Sequence, residues 1–204
     1  MNNCIRNVLV VLMLCWPAAQ LCAQEAVYHD EEVKAAFLYH FATFVQWPET
    51  TQAGEVFTIA VLGADEIAAE LEEFLPGRAI QGRPMDVRRL RSIEELDEER
   101  DDASVLFIGG ALNSDLPQLI GTVGGRPMLV VTDAPGALRD GAMINFQVVD
   151  RRVRFEISLP AAERAGLQLS SRLLSAAMSV DTTSAVAKPP RTVLASAGPL
   201  RRHR

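Results

Sequence analysis

The stretch Val56-Phe57-Thr58-Ile59-Ala60-Val61-Leu62-Gly63 decides the fold. It is β-branched and apolar without a polar alternation, so Val56 to Leu62 reads as a strand buried on both faces and closed by a glycine turn. Two more runs of this kind follow: Ser104 to Ile108 (SVLFI), ending at Gly109-Gly110, and Met128 to Thr132 (MLVVT), ending at Asp133. Between the first two, Met85 to Leu90 (MDVRRL) alternates as a further strand. Helical segments separate these strands at about Asp65 to Phe74, near Ile93 to Glu99 and at about Leu116 to Val123. Continuous apolar strands alternating with helices predict an α/β fold, a mostly parallel sheet with helices on both faces.

Upstream, Val33, Phe37, Phe41 and Phe44 recur at helical intervals, and Asp30, Glu31 and Glu32 occupy the first turn, where the helix dipole favours acids. An amphipathic helix therefore runs from Asp30 to about Gln46 and stops at Trp47-Pro48. Downstream, Met143 to Val149 and Val153 to Leu159 are separated only by Asp150-Arg151-Arg152, too short for a crossover, which predicts a C-terminal antiparallel hairpin. Short helices near Pro160 to Ala165 and Ser171 to Met178 complete the domain.

The flanks differ from this body. Arg6, the apolar run Val8 to Trp16, Pro17 and the small-residue end at Ala23 read as a secretory signal peptide over 1–23. A lipoprotein use of Cys22 fits less well, because Leu21 precedes it. Residues 24–183 form the domain, and 184–204 read as a disordered, basic, proline-containing tail. Cys4, Cys15 and Cys22 are the only cysteines, so cleavage after Ala23 leaves a cysteine-free chain without thiol chemistry or a cysteine metal site.

With 204 residues, 49% hydrophobic and 23% charged, the sequence is that of a single globular domain. Of its 20 basic residues, Arg6 precedes the body and Lys188, Arg191, Arg201, Arg202 and Arg204 follow it, leaving 14 against all 26 acids. A body this acidic argues against a nucleic-acid partner. The basic tail has the charge to touch anionic lipid or an acidic partner.

Catalytic motifs are missing: there is no H-E-x-x-H, G-x-S-x-G, P-loop or G-x-G-x-x-G. No metal site and no cofactor are predicted. The run Glu94 to Asp102 packs seven carboxylates into nine residues but lacks a calcium loop's glycine turn, and reads as a solvated face. His40, beside Tyr39, is a packing or surface residue. In an open parallel sheet, ligands lie at the carboxyl ends of strands, which here are Gly63, Asp65, Gly109, Gly110 and Asp133; Asp65 also reads as a helix N-cap. On the hairpin, Arg152, Arg154 and Glu156 share one face and Val153, Phe155 and Ile157 the other. The charged face serves either as a protected sheet edge or as a partner surface.

Several phrases, in order, carry a resemblance: Val33 to Tyr39 through Phe44 with Trp47-Pro48, Ile59 to Gly63, Gly82-Arg83-Pro84, Val105 to Ile108, Gly141 to Phe146, Val153 to Ile157, and Ala165-Gly166-Leu167 through Ser170 to Leu174. The sequence resembles the YfiR-like family of periplasmic proteins. The resemblance implies an exported, non-enzymatic, homodimeric binding module. Such a module inhibits a membrane-anchored, GGDEF-type diguanylate cyclase by binding its periplasmic part, lowering cyclic di-GMP and biofilm formation. Polar positions within the matched phrases become the partner-binding candidates: Arg83, Asn145, Arg154, Glu156, Ser170 and Arg172. Structural roles stand beside these, with Asn145 satisfying a turn, Glu156 pairing with Arg154 or Arg172, and Ser170 capping the final helix. The alternative is a periplasmic small-ligand binding protein that uses the strand ends and relays a signal to a membrane partner. Relatives carry cysteines in the mature domain, and their redox sensitivity is not expected here.

Overall fold

The computed structural model describes residues 29–48, 55–96 and 103–183. The signal-peptide and tail assignments, and the acidic run beyond Leu96, lie outside the described residues. The elements in chain order are α1 (Asp30–Phe44), β1 (Val45–Gln46), β2 (Phe57–Leu62), α2 (Asp65–Phe74), β3 (Ala79–Ile80), β4 (Arg83–Leu90), β5 (Ala103–Ile108), α3 (Leu116–Val123), β6 (Leu129–Thr132), β7 (Ile144–Val149), β8 (Arg152–Ser158), α4 (Leu159–Arg164), β9 (Gln168–Leu169), α5 (Ser171–Ala176) and β10 (Ser179–Asp181).

Eight strands form one sheet in the order β10-β8-β7-β6-β5-β2-β4-β3. The pairs from β4 through β2, β5 and β6 to β7 are parallel, β7–β8 and β3–β4 are antiparallel, and β10 joins β8 in parallel. The apolar strands sit at its centre: β5 and β6 are buried at every position. β2 steps one way to β4 while β5 steps the other way to β6, so right-handed crossovers place α2 and α3 on opposite faces. The α/β fold and the terminal hairpin are as the sequence predicts.

α1 is fixed by aromatic packing. Phe41 meets Phe155 edge-on at 4.9 Å and stacks on Phe146 at 5.5 Å, and Phe37 meets Phe155 at 5.4 Å. Its buried stripe is shifted from the predicted one: Lys34, Ala35, Leu38, Phe41 and Ala42 are buried, whereas Val33, Phe37 and Phe44 are only partly covered. The helix ends two residues early, because Val45 and Gln46 turn extended and pair with Leu169 and Gln168. Trp47 then donates its indole N–H to the Ser104 carbonyl at 3.2 Å, which pins the exit of α1 to β5.

Other expectations need correction. Near Ile93 the described residues form a single 3₁₀ turn, Ile93–Glu95, closed by i→i+3 bonds, and the rest of the helix expected to Glu99 lies outside the described residues. Asp65 is the first residue of α2; Ala64 takes the N-cap position, and no side chain caps the helix. The hairpin loop has two residues rather than three: Asp150 and Arg151 both take positive φ, which lets Arg152 pair with Val149. β8 is not a free edge over Glu156 to Ser158, since β10 pairs with it there.

Candidate functional site

The sheet order reverses between β2 and β5, the place where an open α/β sheet usually holds a ligand. Here that crevice is closed by the chain itself. Gly109 donates its N–H to the Leu62 carbonyl at 2.8 Å, and a Cβ on Gly109 would overlap the Gly63 carbonyl. Gly63 adopts φ +68°, and a Cβ there would lie 2.6 Å from Leu112. The glycines therefore serve close packing between two strand ends.

One strand further on, the chain builds a polar cluster. Asp133, just past β6, accepts the Gly110 N–H on Oδ1 at 2.6 Å and the Lys34 ammonium on Oδ2 at 2.7 Å. Lys34 comes from the first turns of α1 and is 8% exposed, so a desolvated cation is matched by a partly buried anion. A cavity of about 390 Å³ opens beside this pair, lined by both residues with Ala134 to Gly136, Asn145 and Gln147. Asn145 is fully buried on β7; its Nδ2 donates to Glu156 Oε1 at 3.0 Å, and its Oδ1 has no partner. An unsatisfied buried acceptor at a cavity wall is costly unless a donor reaches it, so it marks a place for a bound N–H or O–H.

The strand-end candidates thus divide. Gly63, Gly109, Gly110 and Asp133 meet at one end of the sheet, whereas Asp65 lies outside, its carboxylate exposed and 3.9 Å from Arg89. The six partner candidates fall in three places. Asn145 and Glu156 are cross-strand neighbours in the β7–β8 pair, with Arg154 two residues along β8. Neither structural expectation for Asn145 and Glu156 holds: Asn145 lies within a strand, and Glu156 pairs with Asn145 instead of an arginine. Ser170 does cap α5, accepting the Leu173 N–H at 3.3 Å, while Arg172 lies over the Phe44 ring at 5.7 Å. Arg83 is remote from these, at the β3–β4 turn, where its guanidinium rests 5.1 Å from the Phe57 ring centre and both terminal nitrogens are buried without partners.

For chemistry, the carboxylates do not converge. Both Asp133 oxygens are occupied, Glu156 is held by Asn145, and no group of three His, Cys, Asp or Glu among the described residues is placed to hold a metal. What the elements present is a scaffold with polar surfaces and a lined cavity beside Lys34 and Asp133. The sequence matches the YfiR/HmsC-like family over residues 31–178, the whole fold from α1 to the approach of β10. The chain belongs to the YfiR/HmsC-like family. The family is one of periplasmic regulators of diguanylate cyclase signalling, regulatory rather than catalytic. Among the described residues of this YfiR/HmsC-like chain, no helix is long and apolar enough to cross a membrane.

No curated protein matches the chain. Two solved structures align with part of the chain. A conserved domain protein from Vibrio cholerae O1 biovar El Tor str. N16961 aligns with a TM-score of 0.48 and 13% identity, covering 74% of this chain and 60% of that one. An ABC domain in complex with L-Trp from Streptococcus pneumonia aligns with a TM-score of 0.49 and 11% identity, again over 74% and 60%. The chain therefore spans about 60% of the length of each.

Lys34 escaped the sequence reading as a site residue, although a signal existed. It falls at i, i+4, i+7 and i+11 with Leu38, Phe41 and Val45, all buried, and a lysine in register with a core stripe requires a buried partner.

Proposed function

We propose that this YfiR/HmsC-like domain is an inhibitory binding module that engages the periplasmic part of a membrane-anchored diguanylate cyclase and lowers cyclic di-GMP output. The observation that carries this is the family match over residues 31–178, which covers the structured body from its first helix up to β10. The separately engaged carboxylates agree with binding rather than turnover. Inhibition then works through populations: tenfold discrimination between inactive and active cyclase requires about 1.4 kcal/mol of differential affinity. Export through a peptide cleaved near Ala23 and assembly as a homodimer belong to the same proposal. Deleting the gene in a strain that keeps the cyclase active should raise cyclic di-GMP and biofilm; an unchanged level overturns the inhibitory reading.

A second reading, a small-ligand receptor that relays its state to a membrane partner, is favoured by the cavity beside Lys34, Asp133 and Asn145. A ligand that binds only the folded state raises its stability, so a thermal-shift screen should find a stabilising compound whose effect disappears in Asn145→Leu. No stabilisation by any compound, in a protein that still binds the cyclase, rejects that reading.

A further inference from the structure

The large apolar side chains that remain exposed among the described residues are not scattered. Val148 (53% exposed), Val149 (37%) and Met178 (47%) gather at the tip and flank of the β7–β8 hairpin, with Val56 the only other one. Arg151, Arg152 and Arg154 occupy the same tip, and none of their side chains engages a described residue in a hydrogen bond or ion pair. Four arginines elsewhere are tied down by side-chain hydrogen bonds: Arg89 to Glu72, Arg88 to the Glu95 carbonyl, Arg78 to the Phe74 carbonyl and Arg164 to the Pro160 carbonyl. Asp150 is the one acid of the tip, so this end is locally basic on a strongly acidic body.

The geometry points to an anionic phospholipid surface as the partner of this tip. Strand alternation sends Val148 to one face of the hairpin and Val149 to the other, so the apolar end is two-sided. A protein docked on a sheet face covers one side, whereas the headgroup layer of a bilayer surrounds an inserted tip. A groove of about 520 Å³ runs back from the tip, lined by Val149, Asp150, Arg152 and Arg154 of the hairpin and by Ala176, Ala177 and Met178. Guanidinium groups beside small apolar side chains suit a phosphate with the first carbons of its lipid. The two-residue loop keeps the wedge stiff, with Asp150 at φ 51° and Arg151 at φ 58°. Arginine at the second of these positions replaces the glycine that such a turn favours, and strain retained at an exposed tip goes with a use for the side chain. This surface is independent of the cyclase-binding proposal, and either holds without the other.

The test is co-sedimentation of the full chain, recovered from the exported fraction, with vesicles of phosphatidylcholine containing about 30 mol% phosphatidylglycerol, against phosphatidylcholine alone, in roughly 0.1 M salt. Binding is expected on the anionic vesicles only. R151Q/R152Q/R154Q should weaken it about a hundredfold, and V148S/V149S/M178S should also weaken it. All six positions are exposed or half-exposed, and unchanged melting of each variant confirms folding. R201Q/R202Q/R204Q, which alters the basic C-terminus instead, should bind within about twofold of the parent. The proposal is overturned if the hairpin variants bind vesicles like the parent, or if only the C-terminal variant loses binding. It is also overturned if hairpin variants lose capture of the cyclase's periplasmic part while vesicle binding is unchanged, which would assign the tip to a protein partner.

Discussion

Arg151 has φ 58°, where a side chain crowds the backbone and costs roughly 1–2 kcal/mol relative to glycine. Arg151→Gly should therefore stabilise the fold by about 1 kcal/mol, after the added chain entropy of glycine, and raise Tm by about 2–4 °C. Gly109 is the opposite case. Its φ of −64° suits any residue, but the Gly63 carbonyl occupies the space of a Cβ. Gly109→Ala should cost about 2–3 kcal/mol in urea unfolding, because β2 and β5 must separate to admit one methyl. Lys34 and Asp133 lie 99 residues apart and were invisible as a pair: a sequence shows that a buried lysine needs an anion but not which one the fold delivers. Lys34→Met should cost about 2 kcal/mol by leaving Asp133 uncompensated, and adding Asp133→Asn should restore part of it. Additive losses in that cycle would mean that the pair is not coupled.

Among elements, legibility followed length and burial. β2, β5 and β6 were readable because each is an unbroken apolar run at the sheet centre. β1, β3, β9 and β10 have two or three residues each and leave no periodicity to read; their pairing comes from what the long elements bring alongside. α2 illustrates a tie between elements that is also tunable by pH. Glu72 on α2 accepts two hydrogen bonds from Arg89 on β4, at 2.7 and 2.8 Å. The side-chain hydrogen bond to Arg89 holds the Glu72 carboxyl below its ordinary pKa and raises that of Arg89. A depressed carboxyl pKa gives stability that is present above the unfolded value and is lost as pH falls through the folded one. Both groups are exposed, so the effect on stability is small, but the titration is readable. By NMR, Glu72 should titrate at lower pH in the parent than in Arg89→Gln, and coincident titrations would show that the pair is not formed in solution.

For the whole molecule, the cysteine distribution has a physical consequence. The three cysteines lie at positions 4, 15 and 22, ahead of the matched region at 31–178, so the fold is held by its core alone. That core is sufficient in kind: it runs continuously from α1 through the central strands to α5, with Phe41, Phe57, Phe107, Leu106 and Ile144 fully buried. A native disulfide typically contributes 2–4 kcal/mol, and its reduction in a domain of this size would lower Tm by roughly 5–15 °C. With the peptide cleaved near Ala23 as proposed, the mature protein should instead melt within about 1 °C with and without dithiothreitol, since no covalent link closes a loop of the folded body. The cyclase inhibition proposed for it should be equally indifferent to reductant, in contrast with the redox sensitivity that the resemblance implies for its relatives. A fall in Tm on reduction would mean that N-terminal cysteines remain in the exported protein and bridge it. An activity change without a Tm change would place the redox-sensitive group on the partner.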